Sequence, residues 1–273
     1  MTESGGRYLS FVLHSHLPYV LSHGRWPHGT DWLNEATAET YIPLLAACDA
    51  LVVDGISPKF TLGITPVLSE QLADESFGHE FSGYLTQKLT AAETDATEFR
   101  RQGDGKMAEL ADFWRDEYTH LSQLWHDRYE HDLIGGFRRL QDSGHIEIIT
   151  CAATHDYLAL LGSDECVRAQ VNQGVDVYKR HFGRAPKGVW LPECAYRPTG
   201  SSSLAPGRPG TTQSSGSPVT TMRLSGWQTS PKNPLTVQHW TKPIGRFSKH
   251  VKRQIRFSAT LTYLGGANPL VAV

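Results

Sequence analysis

The stretch Tyr8-Leu-Ser-Phe-Val-Leu-His-Ser-His-Leu-Pro18 decides the fold class. Tyr8 to Leu13 is an almost continuous apolar run, as expected of a strand buried on both faces rather than one. The run ends abruptly in His14-Ser15-His16 before Leu17-Pro18. Similar units recur. Lys59 to Ile64 reads as a second strand and ends at Thr65-Pro66. Ile146 to Cys151 is a third and ends at Ala153-Thr154-His155. Gly188 to Leu191 is a fourth and ends at Pro192-Glu193. Helical patterns lie between them. Asp31 to Asp54 reads as a helix capped by Asp31 or Asn34, stopped by Gly55 and interrupted at Pro43. Val67 to Asp74 starts helical, and Asp164 to Phe182 is framed by Ser163 and Gly183. The long polar stretch from Phe77 to Asp142 breaks at Gly103 and Gly105 and stops at Gly144. Its Leu110, Phe113, Trp114, Tyr118, Leu121 and Trp125 recur at helical spacing.

Apolar strands alternating with helices predict an α/β fold with a parallel sheet, the region after the second strand being an insertion. In barrels of this kind functional side chains sit at the C-terminal strand ends. Here those ends carry His14 and His16, Thr65, His155 and Glu193. The constellation is more specific than any one of its members.

Composition excludes several function classes. The chain has 273 residues and a net charge of -2, so no global charge excess points to nucleic acid or an anionic membrane. No run of about 18 apolar residues suggests a transmembrane helix, and Met1 to Arg7 is polar, without a signal-peptide core. Cys48, Cys151, Cys166 and Cys194 are scattered without CxxC spacing. A disulfide framework and a zinc knuckle are therefore not expected, and a reducing, cytoplasmic setting is. Dinucleotide, P-loop and α/β-hydrolase fingerprints are absent.

The net charge hides an asymmetry. All 28 acidic residues lie at or before Glu193, whereas residues 201–273 carry nine Lys or Arg and no Asp or Glu. That tail, rich in Ser, Thr, Pro and Gly, reads in three ways: a basic disordered segment, a small β-rich module around Gln254 to Val273, or the product of a changed reading frame.

Each candidate has a functional and a plain reading. His14 and His16 point to the same side of an extended segment. Such a pair suits a metal ion, a polyhydroxylated ligand or mutual structural hydrogen bonding. Glu193 at a strand end can act as nucleophile, base or metal ligand, or merely open a loop. Trp190 and Tyr196 beside it suit stacking on sugar rings, and equally suit a core. Trp26, in a loop after the first strand end, is either a ligand platform or loop packing. His155 is a ligand contact or a satisfied buried histidine. Cys151 and Cys194 read as small buried residues, not nucleophiles.

At these residues the sequence resembles glycoside hydrolase family 57, and within it the 1,4-α-glucan branching enzymes. The matching segments are Phe11-Val-Leu-His-Ser-His-Leu-Pro-Tyr19, His23-Gly-Arg-Trp-Pro27, Ala38-Glu-Thr-Tyr-Ile-Pro-Leu-Leu45, Leu62-Gly-Ile-Thr-Pro-Val-Leu68, Ala153-Thr-His155 and Trp190-Leu-Pro-Glu-Cys-Ala-Tyr-Arg-Pro198. The resemblance runs from Tyr8 to about Pro198. It implies a (β/α)7 barrel, of which residues 1–200 are the N-terminal part and 201–273 a non-homologous, irregular tail. It implies retaining transfer of an α-1,4-glucan segment to a 6-hydroxyl, with Glu193 as nucleophile. His14, His16, Trp26, His155 and Trp190 would bind the substrate. No metal or organic cofactor is implied, and the implied partner is α-1,4-glucan, not nucleic acid or membrane. Related amylases and 4-α-glucanotransferases, a metal-dependent amidohydrolase or deacetylase, and a non-catalytic glucan-binding fragment are the competing readings.

The sequence departs from the family in two respects. The family's acid is an aspartate in a downstream Tyr-Asp-x-Glu-x-x-Gly-His-Trp-Trp type of motif. This chain has no such motif, and no carboxylate side chain follows Glu193. Asp156 stands where relatives usually carry glycine. The acidic residues and the resemblance stop together, as one change of reading frame would produce. Half a barrel would also leave strand edges open to association.

Overall fold

The computed structural model describes residues 8–25, 28–196, 259–264 and 271–272. It is an α/β structure built on one sheet. Strand β1 (Tyr8–Ser15) pairs in parallel with β2 (Thr61–Ile64), and β2 with β3 (Glu147–Ile149). His14 lies opposite Gly63, and Ser15 opposite Ile64. The next segment reaches β3 only through a parallel bridge between Thr150 and Val189. The fourth strand expected at Gly188 to Leu191 is thus reduced to two hydrogen bonds, Thr150 N to Gly188 O at 3.2 Å and Trp190 N to Thr150 O at 2.8 Å. Pro192 then removes the donor a longer pairing needs.

The other edge of β1 differs from the expectation of an open edge and an irregular tail. Two later strands, β4 (Ala259–Leu264) and β5 (Val271–Ala272), give the order β3-β2-β1-β4-β5. Strand β4 runs antiparallel to β1, from Ala259 opposite Leu13 to Leu264 opposite Tyr8. The β-rich reading of the last residues is therefore realised there, as part of the same sheet. Its Thr-Leu-Thr-Tyr alternation suits a strand, here paired with β1 on one side and β5 on the other. The remaining tail expectations fall outside the described residues.

The helices follow the sequence with identifiable corrections. Helix α1 (Thr30–Ala36) begins at Gly29 without a side-chain cap. Asp31 is instead engaged by Arg25, at 3.0 Å, and Asn34 is buried. Helix α1 runs through a π turn, Thr37–Tyr41, into α2 (Ile42–Val53). The wide turn, in which Ile42 N reaches back to Thr37 O, is the local response to Pro43, which cannot donate to the preceding turn. Helices α3 (Pro66–Leu72), α4 (Glu75–Gln102), α5 (Gly105–Gln123), α6 (Leu133–Asp142) and α7 (Asp164–Phe182) are capped by Thr65, Asp74, Asp104, Asp132 and Ser163, each accepting from a backbone N–H of the first turn.

The core lies where α1, α2, α4, α6 and α7 cover the sheet. It contains Leu33, Ile42, Leu45, Leu62, Leu68, Phe77, Phe81, Trp125, Phe137, Ile148 and Phe182, among others. Trp125 is fully buried and donates from Nε1 to Ser82 Oγ at 3.0 Å. The helical aromatic pattern after Gly105 reaches the core in its second half, through Tyr118, Leu121 and Trp125, whereas Leu110 is exposed. Farther out, α4 and α5 pack on each other through the small residues Ala92, Ala96, Ala108 and Ala111. The continuous helical span Thr30–Val53 is long and apolar enough to cross a membrane by length and composition, although it contains no unbroken apolar run of that length. Its Leu33, Ile42 and Leu45 are core residues, and a core helix meets the same criterion.

Candidate functional site

The four expected strand ends converge. His14 and His16 leave β1 on one side, as the period of an extended chain requires. Their rings stack with that of His155: His16 and His155 centroids are 3.8 Å apart at 11°, and those of His14 and His155 are 5.2 Å apart at 28°. The indole of Trp190 stacks on the other neighbour, 5.4 Å from His14 at 22°. His14 Nε2 lies 3.0 Å from His155 Nε2. Glu193 brings Oε1 to 3.7 Å from His155 Nδ1, beyond hydrogen-bond length but well within electrostatic reach. The Glu193 side chain is 62% exposed, and that of His155 only 5%. A carboxylate open to solvent thus stands beside a cluster of half-buried aromatic rings.

Local chemistry fixes these groups. Thr65 Oγ1 accepts from Leu68 N to cap α3, so its hydroxyl proton is free for His16 Nδ1 at 3.3 Å. A proton on His14 Nε2 directed at His155 Nε2, with the His155 proton on Nδ1 facing Glu193, satisfies both remaining contacts. His14 Nδ1 is then bare, and it is buried without a partner. It faces Gly63, where an added Cβ would sit 3.1 Å away. Burial, then the neighbouring His155 and His16, lowers the His14 pKa from 6.5 to about 4. Burial and His155 bring His16 to about 4 as well. Burial also lowers His155, against the opposing pull of Glu193. All three are therefore neutral hydrogen-bonding groups near pH 7.

Two site residues carry backbone strain. His155 has φ 61° and Glu193 φ 53°, both in the left-handed region that non-glycine residues avoid. Cys151 is buried, its thiol pushed up to about 12 chiefly by burial and directed at Trp190 O, 3.0 Å away. It is a packing residue, as expected. Cys194 is not: it is exposed, carried outward by the same tight turn that holds Glu193. Tyr196 is 71% exposed. Asp156, the extra carboxylate beside His155, accepts from Gln170 Nε2 at 2.9 Å and is turned toward α7. Trp26 lies outside the described residues. Among the described residues no group of three His, Cys, Asp or Glu side chains is placed to hold a metal ion.

Three residues that shape this site escaped the sequence reading. Gly63 makes room for His14, Gly174 admits the β3 end to α7, and Gln170 ties down the loop bearing His155. The two glycines interrupt a strand and a helix, which is the available signal of close approach.

Comparison with known proteins places the α/β sheet and its strand-end cluster in a family. Residues 10–206 match the profile of glycosyl hydrolase family 57, and the chain belongs to that family. It is 46% identical over 201 residues to a 1,4-alpha-glucan branching enzyme of Thermococcus kodakarensis, covering 74% of this chain and 29% of that protein. The solved structure of a branching enzyme of that type from Pyrococcus horikoshii superposes with a TM-score of 0.68 at 47% identity, over 70% of this chain and 36% of the other. The alpha-amylase AmyC of Thermotoga maritima superposes with a TM-score of 0.63 at 31% identity, over 69% and 36%. The matched region thus spans only about a third of the length of these relatives.

Proposed function

We propose that this chain carries the donor-glucan half of a 1,4-α-glucan branching site, built on the first part of a (β/α)7 barrel. In this reading residues 1–200 are the barrel part and 201–273 a non-homologous tail. The observation that carries it is the solvent-open carboxylate of Glu193 beside a neutral His14, His16 and His155 cluster stacked on Trp190. Glu193 attacks the anomeric carbon of the donor glucan, and the glycosidic bond breaks as the Glu193–sugar ester forms. The histidines hydrogen-bond sugar hydroxyls, and Trp190, with Trp26, offers apolar faces to the ring. Transfer to an acceptor 6-hydroxyl then makes the α-1,6 branch.

Natural glucan also needs a proton for its leaving oxygen, and no side-chain carboxylate follows Glu193. Loss of general acid catalysis typically costs about 10²–10⁴-fold. The purified chain is therefore expected to add few or no α-1,6 linkages to amylose. A maltotriosyl fluoride removes that requirement, because fluoride leaves without protonation. Expected is a chain one maltotriosyl group heavier, labelled on the peptide that contains Glu193, and no label in Glu193→Gln. Labelling elsewhere, or none on the folded parent chain, would refute the assignment of the nucleophile.

A further inference from the structure

We propose that Gln170, on α7, is a positioning residue that holds His155 against Glu193 and the histidines of β1. The inference rests on the donor-site reading above, which gives His155 its function. Gln170 binds the residues on both sides of His155. Its main-chain carbonyl accepts from Ala153 N at 3.0 Å. Its side-chain Oε1 accepts from Thr154 N at 3.0 Å, and its Nε2 donates to Thr154 Oγ1 at 2.8 Å and to Asp156 Oδ2 at 2.9 Å. Thr154 N–H can only donate, so the amide orientation is determined and both Nε2 protons are engaged. His155 N to Ala152 O, 3.2 Å, closes the turn.

Such a clamp answers a definite need. His155 is held at φ 61°, a conformation that costs a non-glycine residue free energy and persists only where surrounding contacts impose it. Its ring has no room to drift: it stacks on His16, meets His14 Nε2 at 3.0 Å and faces Glu193 Oε1 at 3.7 Å. Four hydrogen bonds from one helical residue converge on the three residues Ala153, Thr154 and Asp156. One turn farther along α7, Gly174 presses against Cys151 O and so seats the helix on the end of β3. Asp156 thereby has a role as the third anchor of the clamp, a role that glycine at this position cannot fill.

The test separates positioning from mere stability. The histidine ring Cε1–H signals of the full chain are followed by NMR across pH 3–8, with His155 assigned from His155→Gln. The groups facing His155 are His14 and His16 from β1 and Glu193 from the following loop, with Asp156 adjacent. In Gln170→Ala the His155 midpoint is expected to move up toward 6.5. Affinity for maltoheptaose is expected to fall about tenfold. Gln170→Glu should behave similarly, because it sets two carboxylates together. Adding Asp156→Asn to it exchanges amide and carboxylate across the contact and should restore both readings. An unmoved His155 titration in Gln170→Ala, or a double variant no better than Gln170→Glu, overturns the proposal even if thermal stability falls. A parent chain that binds no maltoheptaose overturns the glucan reading instead, and the titration still judges the clamp.

Discussion

Replacing Gly174 by alanine tests whether α7 is seated as tightly as its contacts require. A Cβ built there would lie 2.2 Å from the Cys151 carbonyl oxygen and 3.5 Å from Ala153 N. Unstrained carbon–oxygen contacts are about 3.3 Å, so α7 must retreat by about 1 Å. The obstacle, Cys151 O, is backbone and not a flexible side-chain end; Ala153 N is at ordinary contact distance. Overpacking of this kind costs about 1–3 kcal/mol. The retreat also stretches the buried bond from Thr150 Oγ1 to Gly174 O, now 3.1 Å, which contributes about 1 kcal/mol. Alanine recovers about 1 kcal/mol of helix propensity. The net expectation is a loss of about 2 kcal/mol. Gly83, also inside a helix, is the control: nothing lies within 4 Å of its built Cβ, and Gly83→Ala should gain about 1 kcal/mol. Urea unfolding followed by circular dichroism measures both. With a slope of about 2 kcal/mol/M the midpoints should move about 1 M down and about 0.5 M up, respectively. A neutral or stabilising Gly174→Ala would refute the reasoning, because it would mean that α7 is free to lift off β3.

Acid should weaken the fold through the site histidines. His14 and His16 have folded pKa values of about 4 against 6.5 when free, so the unfolded chain takes up more protons between those values. Stability is expected to fall as pH drops from 6.5 to 4 and then to lose this dependence. A His14→Gln/His16→Gln chain should show a shallower slope of urea midpoint over that window, and an unchanged slope would count against the burial of the pair. Ser22, exposed at φ 64°, should stabilise the chain by about 1 kcal/mol when replaced by glycine, measured as a raised unfolding midpoint. Trp125→Ala should cost about 3–5 kcal/mol and leave the chain unfolded or nearly so at 25 °C by near-UV circular dichroism; a cooperative, native-like transition would contradict its central packing.

The strand ends were legible because apolar runs stop there in polar groups, although β1 is not buried on both faces as its apolar run predicted: Phe11 is exposed. Ser163 and Gly183 marked α7 to the residue for a similarly local reason, since a cap and a left-handed stop are written in adjacent positions. Long-range contacts were less visible. Gln170 resembles any polar residue of a half-exposed helix, and only its distance to three backbone and side-chain atoms of another loop distinguishes it. Asp31 looked like a cap and serves Arg25 instead, because an acidic side chain in a first turn suits either role. Cys194 followed its apolar type toward an interior reading, whereas the strained turn around Glu193 turns it outward. The partner of the β1 edge was beyond local patterning altogether. The alternation in 259–264 reveals a strand but not its neighbour nor its direction.

That direction has a consequence for the chemistry. Strands β1, β2 and β3 all run toward the histidine cluster, so each delivers its last residues to the site. Strand β4 runs the other way, and Ala259, its first residue, lies level with Leu13 beside the cluster, while its last, Leu264, lies level with Tyr8 at the far end. The polarity of the sheet thus reverses at the position next to β1. A reversed strand delivers its end to the opposite rim, so β4 closes the edge of β1 and presents to the cluster its first residue rather than its last.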